Sequence, residues 1–188
     1  SLHFPYGDWP EFTRQLPDDH FKDERLRNFL EAMRFLDTAV AEFFVGLEER
    51  GLLGETVVVL YGDHDAGMWS KEIREFFNFR ARRPNWDLFD QLPLMIWLPG
   101  DDAPRGLVET TTGLSDLPVT LLALMGVDPA SYAMMGRNAL GEPNGGVLSR
   151  PRGHWIDETY YYQPAPYLCF SLESRRRLEL EECTAGVE

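Results

Sequence analysis

The sequence is poor in cysteine and has no long apolar run. Its 188 residues include two cysteines, Cys169 and Cys183, too few for a disulfide scaffold and at a spacing that fits no zinc motif. The two thiols either pair in an oxidising compartment or stay free, and the sequence leaves both options open. No apolar run approaches the roughly 18 residues that a membrane-spanning helix needs.

Positive charge is also scarce. The chain has 18 Lys and Arg against 31 Asp and Glu, which gives a formal net charge of −13. This balance argues against binding that depends on neutralising nucleic-acid phosphates or on adsorption to anionic lipid. We therefore expect no nucleic-acid partner, although a local pocket can still be cationic. Hydrophobic residues make up 44% of the chain, which is ample for a globular core.

Helix and strand patterns alternate along the chain. Residues 23–51 predict a long helix, since apolar residues recur at helical spacing (Phe29, Met33, Leu36, Val40, Phe43 and Leu47). The stretch TVVVLY, 56–61, predicts a strand covered on both faces, as in a parallel sheet. A short helix and a basic loop are expected within 70–90. A second buried strand is predicted at 92–100 and a helix at 115–126.

The C-terminal part has a different pattern. Residues 153–162 and 166–174 resemble strands of an antiparallel hairpin or sheet edge. We therefore predict one α/β domain over the whole chain, with an α/β portion at 1–146 and β strands at 147–188.

Asp63 and His64 follow directly after the strand predicted at 56–61, with Gly62 as the hinge. In open α/β sheets, sites form just beyond the carboxyl ends of the strands. A carboxylate oxygen and an imidazole nitrogen suit a divalent ion such as manganese, magnesium or zinc. An isolated Asp-His pair is more often a turn cap beside a packed or solvated histidine, and two ligands alone do not make a metal site.

The context of this pair resembles the alkaline phosphatase and sulfatase superfamily, and within it the lipoteichoic acid synthase and phosphoglycerol transferase family. The resemblance covers nearly the whole chain, in the segments HFPY, NFLEAMRFLDTAVAEFFVGLEERGLLGETVVVLYGDH, LPLMIWLPG, GLSDLPVTLLALMGVDPASYAMMGRNAL and RGHWIDETYYY. It implies the C-terminal portion of an alkaline-phosphatase/sulfatase-like α/β/α sandwich, followed by a β-rich tail.

The resemblance also implies roles for individual residues. Asp63 and His64 would be two ligands of a single catalytic divalent ion, Mn²⁺ or Mg²⁺. His3 would lie at the substrate phosphate, either binding it or protonating the departing alkoxide. Without the adjacent FPY, His3 would be interpreted as a solvated terminal histidine. His20 and His154 match no functional position and are interpreted as structural or exposed.

Two departures from the family pattern affect the predicted pocket. The family usually has another histidine shortly after its Asp-His pair, and 65–77 contains none. Asp65 stands where an aromatic residue is common. The substrate pocket is therefore expected to differ. Arg80, Arg82 and Arg83 could meet an anionic head group, but a solvated loop is the preferred interpretation.

The family's threonine nucleophile and acidic metal ligand lie upstream of its His-Pro segment, and the sequence begins after them. Thr110, Thr111 and Thr112 match no nucleophile position. We therefore expect the chain to be the C-terminal half of a catalytic domain, whose N-terminal half and membrane helices lie outside this sequence.

The function implied is a metal-dependent phosphoglycerol (glycerophosphate) transferase. It would act on a phosphatidylglycerol-type lipid at the extracytoplasmic face of the membrane, in lipoteichoic acid or periplasmic glycan modification. Its partners would be an anionic phospholipid head group, an alcohol or glycan acceptor, and the N-terminal half of the same protein. The alternatives are a sulfatase or phosphoethanolamine transferase of the same superfamily, or a non-catalytic binding half-domain.

Overall fold

A computed structural model describes most of the chain, in residues 15–17, 21–64, 67–77, 91–141, 148–149, 153–164, 167–174 and 176–184. His3, His20, Asp65, Arg80, Arg82 and Arg83 lie outside these residues. None of the helices in the described part has the length and apolar composition needed to cross a membrane. Two compact units divide at 105/106, whereas the division predicted from the element pattern at 146/147 stays a prediction.

The first helix, α1, spans Glu24–Glu49, within the predicted range 23–51, and local chemistry sets both of its ends. The Asp23 carboxylate accepts hydrogen bonds from the backbone N–H groups of Arg25 and Leu26 at 3.0 and 3.2 Å, which caps the N-terminus. At the other end Gly51 adopts φ 68°, and its N–H donates to the Glu48 carbonyl. Left-handed glycine terminates the helix here because a Cβ would be unfavourable.

The predicted apolar face of α1 is only partly buried, since four of its six residues are half-buried and two are exposed. Leu26, Glu31 and Ala32 are the buried residues of the helix, whereas Leu36 and Phe43 are exposed. Periodicity identified an apolar stripe correctly, but a stripe becomes core only where another element covers it.

Glu31 is a buried carboxylate with several donors. It accepts hydrogen bonds from the backbone N–H groups of Gln15 and Leu16 and from Arg34 Nε, the last at 3.0 Å. Burial acts to raise the pKa of Glu31, but these donors outweigh it, so the pKa lies below its ordinary value.

The two strands described in the first unit pair in antiparallel orientation. Strand β1, Val58–Tyr61, pairs with β2, Leu94–Trp97, in the register Val58 with Trp97 and Tyr61 with Leu94. The expected parallel arrangement is therefore wrong for this pair. An apolar run does not encode the direction of its neighbour, and β1 passes from buried Val58 to exposed Tyr61.

Helix α1 contacts strand β2 and the next helix along the chain. Helix α2, Ser70–Phe77, lies within the segment where a short helix was predicted. Phe44 of α1 contacts Trp97 of β2 edge to face, with ring centroids 5.6 Å apart, a favourable aromatic geometry.

The second unit contains helix α3, Asp116–Leu124, which confirms the helix predicted at 115–126. Its core includes Thr120, whose hydroxyl donates to the Asp116 carbonyl and accepts from the Ala139 N–H at 2.8 Å. Gly136 adopts φ 111°, and a Cβ built there would lie 2.1 Å from the Ser115 carbonyl oxygen. Only glycine fits this close approach.

The described residues of the second unit also include a five-stranded antiparallel sheet, in the part of the chain where the sequence predicts an antiparallel hairpin or sheet edge. Its strands follow chain order: β3 Leu148–Ser149, β4 Trp155–Ile156, β5 Tyr160–Gln163, β6 Leu168–Ser171 and β7 Arg177–Leu178. Helix α4, Leu180–Thr184, follows the sheet. A disulfide joins Cys169 of β6 to Cys183 of α4, which answers the question that the sequence left open.

Candidate functional site

The end of β1 is held against β2 by Gly62. Its N–H donates to the Pro93 carbonyl at 3.0 Å, and a Cβ built on it would lie 3.2 Å from Pro93 Cδ. Gly62 does not adopt a left-handed conformation. Close approach to Leu92 and Pro93, just before β2, and not a sharp turn, is therefore what glycine provides at this position.

Asp63 and His64 lie together immediately after Gly62. Asp63 Oδ1 and His64 Nε2 are 3.7 Å apart, and the side chains are 82% and 68% exposed. Two ligands that each bind one ion at about 2.1 Å can be at most about 4.2 Å apart. The pair fits two positions around a single divalent ion, and the predicted proximity at the end of β1 is confirmed.

The structure gives only part of the predicted constellation. His3, which the family resemblance places at the substrate phosphate, lies outside the described residues. Among the residues that are described, no group of three His, Cys, Asp or Glu side chains is arranged to hold a metal. Both members of the pair are largely solvent-exposed. The assignment of Asp63 and His64 as metal ligands stays a prediction.

The helix that follows this pair is attached to the start of α1. Lys71 Nζ lies 2.6 Å from Asp23 Oδ2, and Glu75 accepts hydrogen bonds from the backbone N–H groups of Lys22 and Asp23. No sequence pattern predicts these contacts, since 48 to 53 residues separate the partners.

These contacts shift two pKa values in opposite directions. Burial acts to raise the pKa of Asp23, but the hydrogen bond and charge of Lys71 and the capped N–H groups of Leu26 and Arg25 outweigh it, so the pKa falls. The hydrogen bond to Asp23 raises the pKa of Lys71, against a smaller opposing effect of desolvation.

Two other predicted positions fall in the second unit. His154 lies against Tyr161, with Nδ1 3.4 Å from the tyrosine hydroxyl and the rings edge to face. This packing agrees with a structural interpretation of His154. Thr112 donates its hydroxyl hydrogen to the Thr110 carbonyl at 3.0 Å, an ordinary loop contact.

Comparisons with known proteins place the pair within a matched region. Residues 2–127 match the family model described as Sulfatase. The chain is 28% identical over 171 residues to lipoteichoic acid synthase 2 of Bacillus subtilis (strain 168), covering 85% of this chain and 25% of that protein. It is 25% identical over 196 residues to lipoteichoic acid synthase 1 of the same strain, covering 99% and 29%.

A relative from another genus gives the same result. The lipoteichoic acid synthase of Staphylococcus saprophyticus is 24% identical over 163 residues, again covering 85% of this chain and 25% of the relative. The chain therefore spans about a quarter of the length of these curated relatives.

Proposed function

The chain belongs to the sulfatase family, and on that premise we propose that it is part of a metal-dependent phosphoglycerol transferase. The predicted resemblance to lipoteichoic acid synthases, the sulfatase-like α/β fold class and membership of an enzyme family are confirmed. The proposal goes further, to the ion, the lipid substrate and the reaction.

One observation carries the proposal: Asp63 and His64 lie 3.7 Å apart at the end of β1, inside the region that matches the family model. A carboxylate and an imidazole directed outward from a strand end are suited to ion binding and not to core packing. The relatives named as lipoteichoic acid synthases favour glycerophosphate transfer over other reactions of the superfamily.

Asp63 and His64 would hold the ion, Mn²⁺ or Mg²⁺, together with ligands from outside the described residues. When bound, the ion supplies positive charge next to the phosphoryl oxygens and lowers the pKa of a hydroxyl nucleophile. The Asp63 carboxylate contributes a hard anionic oxygen, and His64 must be neutral at the nitrogen that binds.

The reaction we propose has two displacements at phosphorus. A threonine hydroxyl from outside this sequence loses its proton and forms an O–P bond with the phosphodiester of a phosphatidylglycerol-type lipid, while the P–O bond to diacylglycerol breaks. His3 donates a proton to the departing diacylglycerol alkoxide. An alcohol or glycan acceptor then forms an O–P bond with the same phosphorus and loses its hydroxyl proton, while the threonine O–P bond breaks and the threonine oxygen regains a proton. The product is the acceptor carrying the glycerophosphate group.

We place this activity on the extracytoplasmic side of the membrane, anchored through a region outside this sequence. The Cys169–Cys183 disulfide supports this location, because disulfides persist in oxidising compartments. The partners would be an anionic phospholipid head group, an alcohol or glycan acceptor, and the upstream half of the same catalytic domain.

A substrate panel tests the proposal in the intact protein. Purified protein with Mn²⁺ is incubated separately with fluorescent phosphatidylglycerol, fluorescent phosphatidylethanolamine and an aryl sulfate. We expect fluorescent diacylglycerol from phosphatidylglycerol alone, and none after chelation with EDTA. Release from phosphatidylethanolamine would favour a phosphoethanolamine transferase, and sulfate release would identify a sulfatase. Mn²⁺ binding without turnover of any substrate would favour a non-catalytic binding protein.

A further inference from the structure

The segment after Asp63 and His64 is attached to the first turn of α1 by Arg25. Arg25 Nη2 donates a hydrogen bond to the Gly67 carbonyl at 2.6 Å. Gly67 has φ 58°, a left-handed conformation that glycine adopts without steric cost. This contact fixes the chain three residues beyond His64.

Arg25 is itself held by a fully buried carboxylate. Glu72 in the first turn of α2 has 0% exposure, and its Oε1 lies 3.8 Å from Arg25 Nη1. The other oxygen, Oε2, accepts a hydrogen bond from the Trp69 N–H, as in a capping box. Within the described residues Oε1 accepts no hydrogen bond. A buried carboxylate depends on a nearby cation, and Arg25 fills that role.

Trp69 completes the cluster. The Arg25 guanidinium lies 5.0 Å from the centre of the Trp69 ring, within cation–π distance, although the ring is 61% exposed. One planar guanidinium therefore contacts a carbonyl, a carboxylate and an aromatic ring. A lysine ammonium lacks the planar fork that makes these contacts together.

Asp63 and His64 thus lie in a short link between two anchored points. Before the pair, the Gly62 N–H donates a hydrogen bond to the Pro93 carbonyl. After the pair, the Gly67 carbonyl accepts a hydrogen bond from Arg25. The pair is mostly exposed, so core packing contributes little to its placement. These two hydrogen bonds limit where the link that carries the pair can lie.

We propose that Arg25, held by Glu72, is a positioning residue that fixes the link carrying Asp63 and His64 and thereby the geometry in which they bind a divalent ion. The positioning of the link follows from the contacts of Arg25. Only the effect on ion binding rests on the function proposed above.

The test compares Arg25→Gln with Arg34→Gln in the intact protein. Arg34 is a matched control because it also lies on α1 and pairs with a buried glutamate, Glu31, at 3.0 Å. Amide hydrogen exchange of 58–69 is measured by mass spectrometry without metal, and Mn²⁺ affinity by isothermal titration. For Arg25→Gln we expect exchange in 58–69 to rise several-fold and Mn²⁺ to bind on the order of 10–100-fold more weakly. Arg34→Gln should change neither.

The variant Glu72→Gln tests the same positioning role through the residue that holds Arg25. The amide oxygen still accepts from the Trp69 N–H, but the charge that holds Arg25 is lost. We expect a change in the same direction, and the double variant with Arg25→Gln should be no worse than the stronger single variant, since the two residues act as one unit. If Arg25→Gln lowers the folded fraction measured by circular dichroism, the positioning role is judged from the hydrogen exchange and Mn²⁺ affinity of Glu72→Gln.

The outcomes separate the two proposals. Unchanged hydrogen exchange in 58–69 for the Arg25 and Glu72 variants overturns the positioning role, whatever their Mn²⁺ affinity. Faster exchange with unchanged Mn²⁺ affinity overturns its link to ion binding. If the unmodified protein binds no Mn²⁺, or binds it equally well after Asp63→Ala, the proposed function fails. The exchange data then still decide whether Arg25 holds the link.

Discussion

Lys71 Nζ lies 2.6 Å from Asp23 Oδ2, so the first turn of α2 is joined to the residue that caps α1. The other oxygen of Asp23 is the cap itself, accepting from the N–H groups of Arg25 and Leu26. One carboxylate therefore stabilises a helix end and connects it to the helix that follows the candidate site.

The pH dependence of this contact has a definite sign. The pKa of Asp23 is lowered by Lys71 and the cap against the effect of burial, so its contribution is complete above the ordinary value of 3.8 and is lost as the pH falls through the lowered pKa. The pKa of Lys71 is raised, so its contribution is lost only as the pH rises above 10.5 through the raised value.

We predict that Asp23→Asn is less stable than the unmodified protein at neutral pH and that the difference vanishes in acid. Asparagine keeps the capping oxygen but loses the charge that pairs with Lys71. Asp23→Ala removes the cap as well and should cost about 1 kcal/mol more. Urea unfolding at a series of pH values measures both effects. A difference between the protein and Asp23→Asn that persists unchanged at the lowest pH would contradict the assigned ion pair.

Some features could be predicted from the sequence because they depend on chemistry between neighbouring residues. Both ends of α1 were predictable because Asp23 and Gly51 act on the backbone next to them. The proximity of Asp63 and His64 was predictable because they are consecutive residues after a strand. Glycine in the link was correctly expected, but Gly62 serves a close approach to Pro93 and not a turn.

Features that depend on partners far away in the sequence could not be predicted. The antiparallel pairing of β1 with β2, the burial of Glu31 on α1 and the contact of Arg25 with Gly67 each join residues far apart in sequence or depend on neighbouring elements. No periodic pattern or short motif encodes such a partner, so the sequence could offer only the residue types.

Replacing the proposed ligands should affect function without affecting the fold. We predict that Asp63→Ala and His64→Ala in the intact protein each abolish turnover and change the unfolding free energy by less than about 0.5 kcal/mol, because the exposed side chains contribute little to the core. Activity and circular dichroism are measured on the same samples. His154→Ala is the matched control: it loses packing on Tyr161 and should lower stability while retaining Mn²⁺ binding. Full activity in either ligand variant would remove the metal assignment.

The disulfide should be a principal stabiliser of the second unit. Cys169 and Cys183 are both buried and are separated by 14 residues, a loop length for which cross-linking contributes about 3 kcal/mol. We predict that the Cys169→Ala/Cys183→Ala variant unfolds at a markedly lower temperature. Added dithiothreitol should lower the midpoint of the unmodified protein but not that of the variant. Equal midpoints with and without the cysteines would show that the bond contributes nothing to stability.

Alanine substitutions at two glycines distinguish the stability cost of a steric clash from the cost of backbone strain. Gly136 and Gly100 both have positive φ, 111° and 94°, but a Cβ at Gly136 would meet the Ser115 carbonyl whereas Gly100 has open space around it. We predict that Gly100→Ala costs about 1–3 kcal/mol from strain and that Gly136→Ala costs clearly more. Thermal unfolding of the two variants measures the difference, and equal losses would mean that the approach to Ser115 relaxes without cost.

The 188-residue chain alone should lack activity. Asp63 and His64 are two ligands, whereas a catalytic site for a divalent ion normally uses three or more protein groups, and the described residues hold no group of three. Within that part of the chain β1 and β2 pair only with each other, and Tyr61 and Met95 are exposed on them. Unpaired strand edges and exposed apolar side chains favour association.

We therefore predict that the isolated chain shows no phosphodiesterase, sulfatase or glycerophosphate transferase activity, binds Mn²⁺ weakly and tends to aggregate. Isothermal titration with Mn²⁺, a fluorescent phosphatidylglycerol assay and light scattering on one preparation measure all three properties. The intact protein, assayed in parallel, is the positive control, because the proposed function places the remaining ligands and the nucleophile outside this sequence. Tight one-to-one Mn²⁺ binding with turnover by the isolated chain would mean that these 188 residues contain a complete site, with His3 or another residue outside the described part supplying what Asp63 and His64 lack.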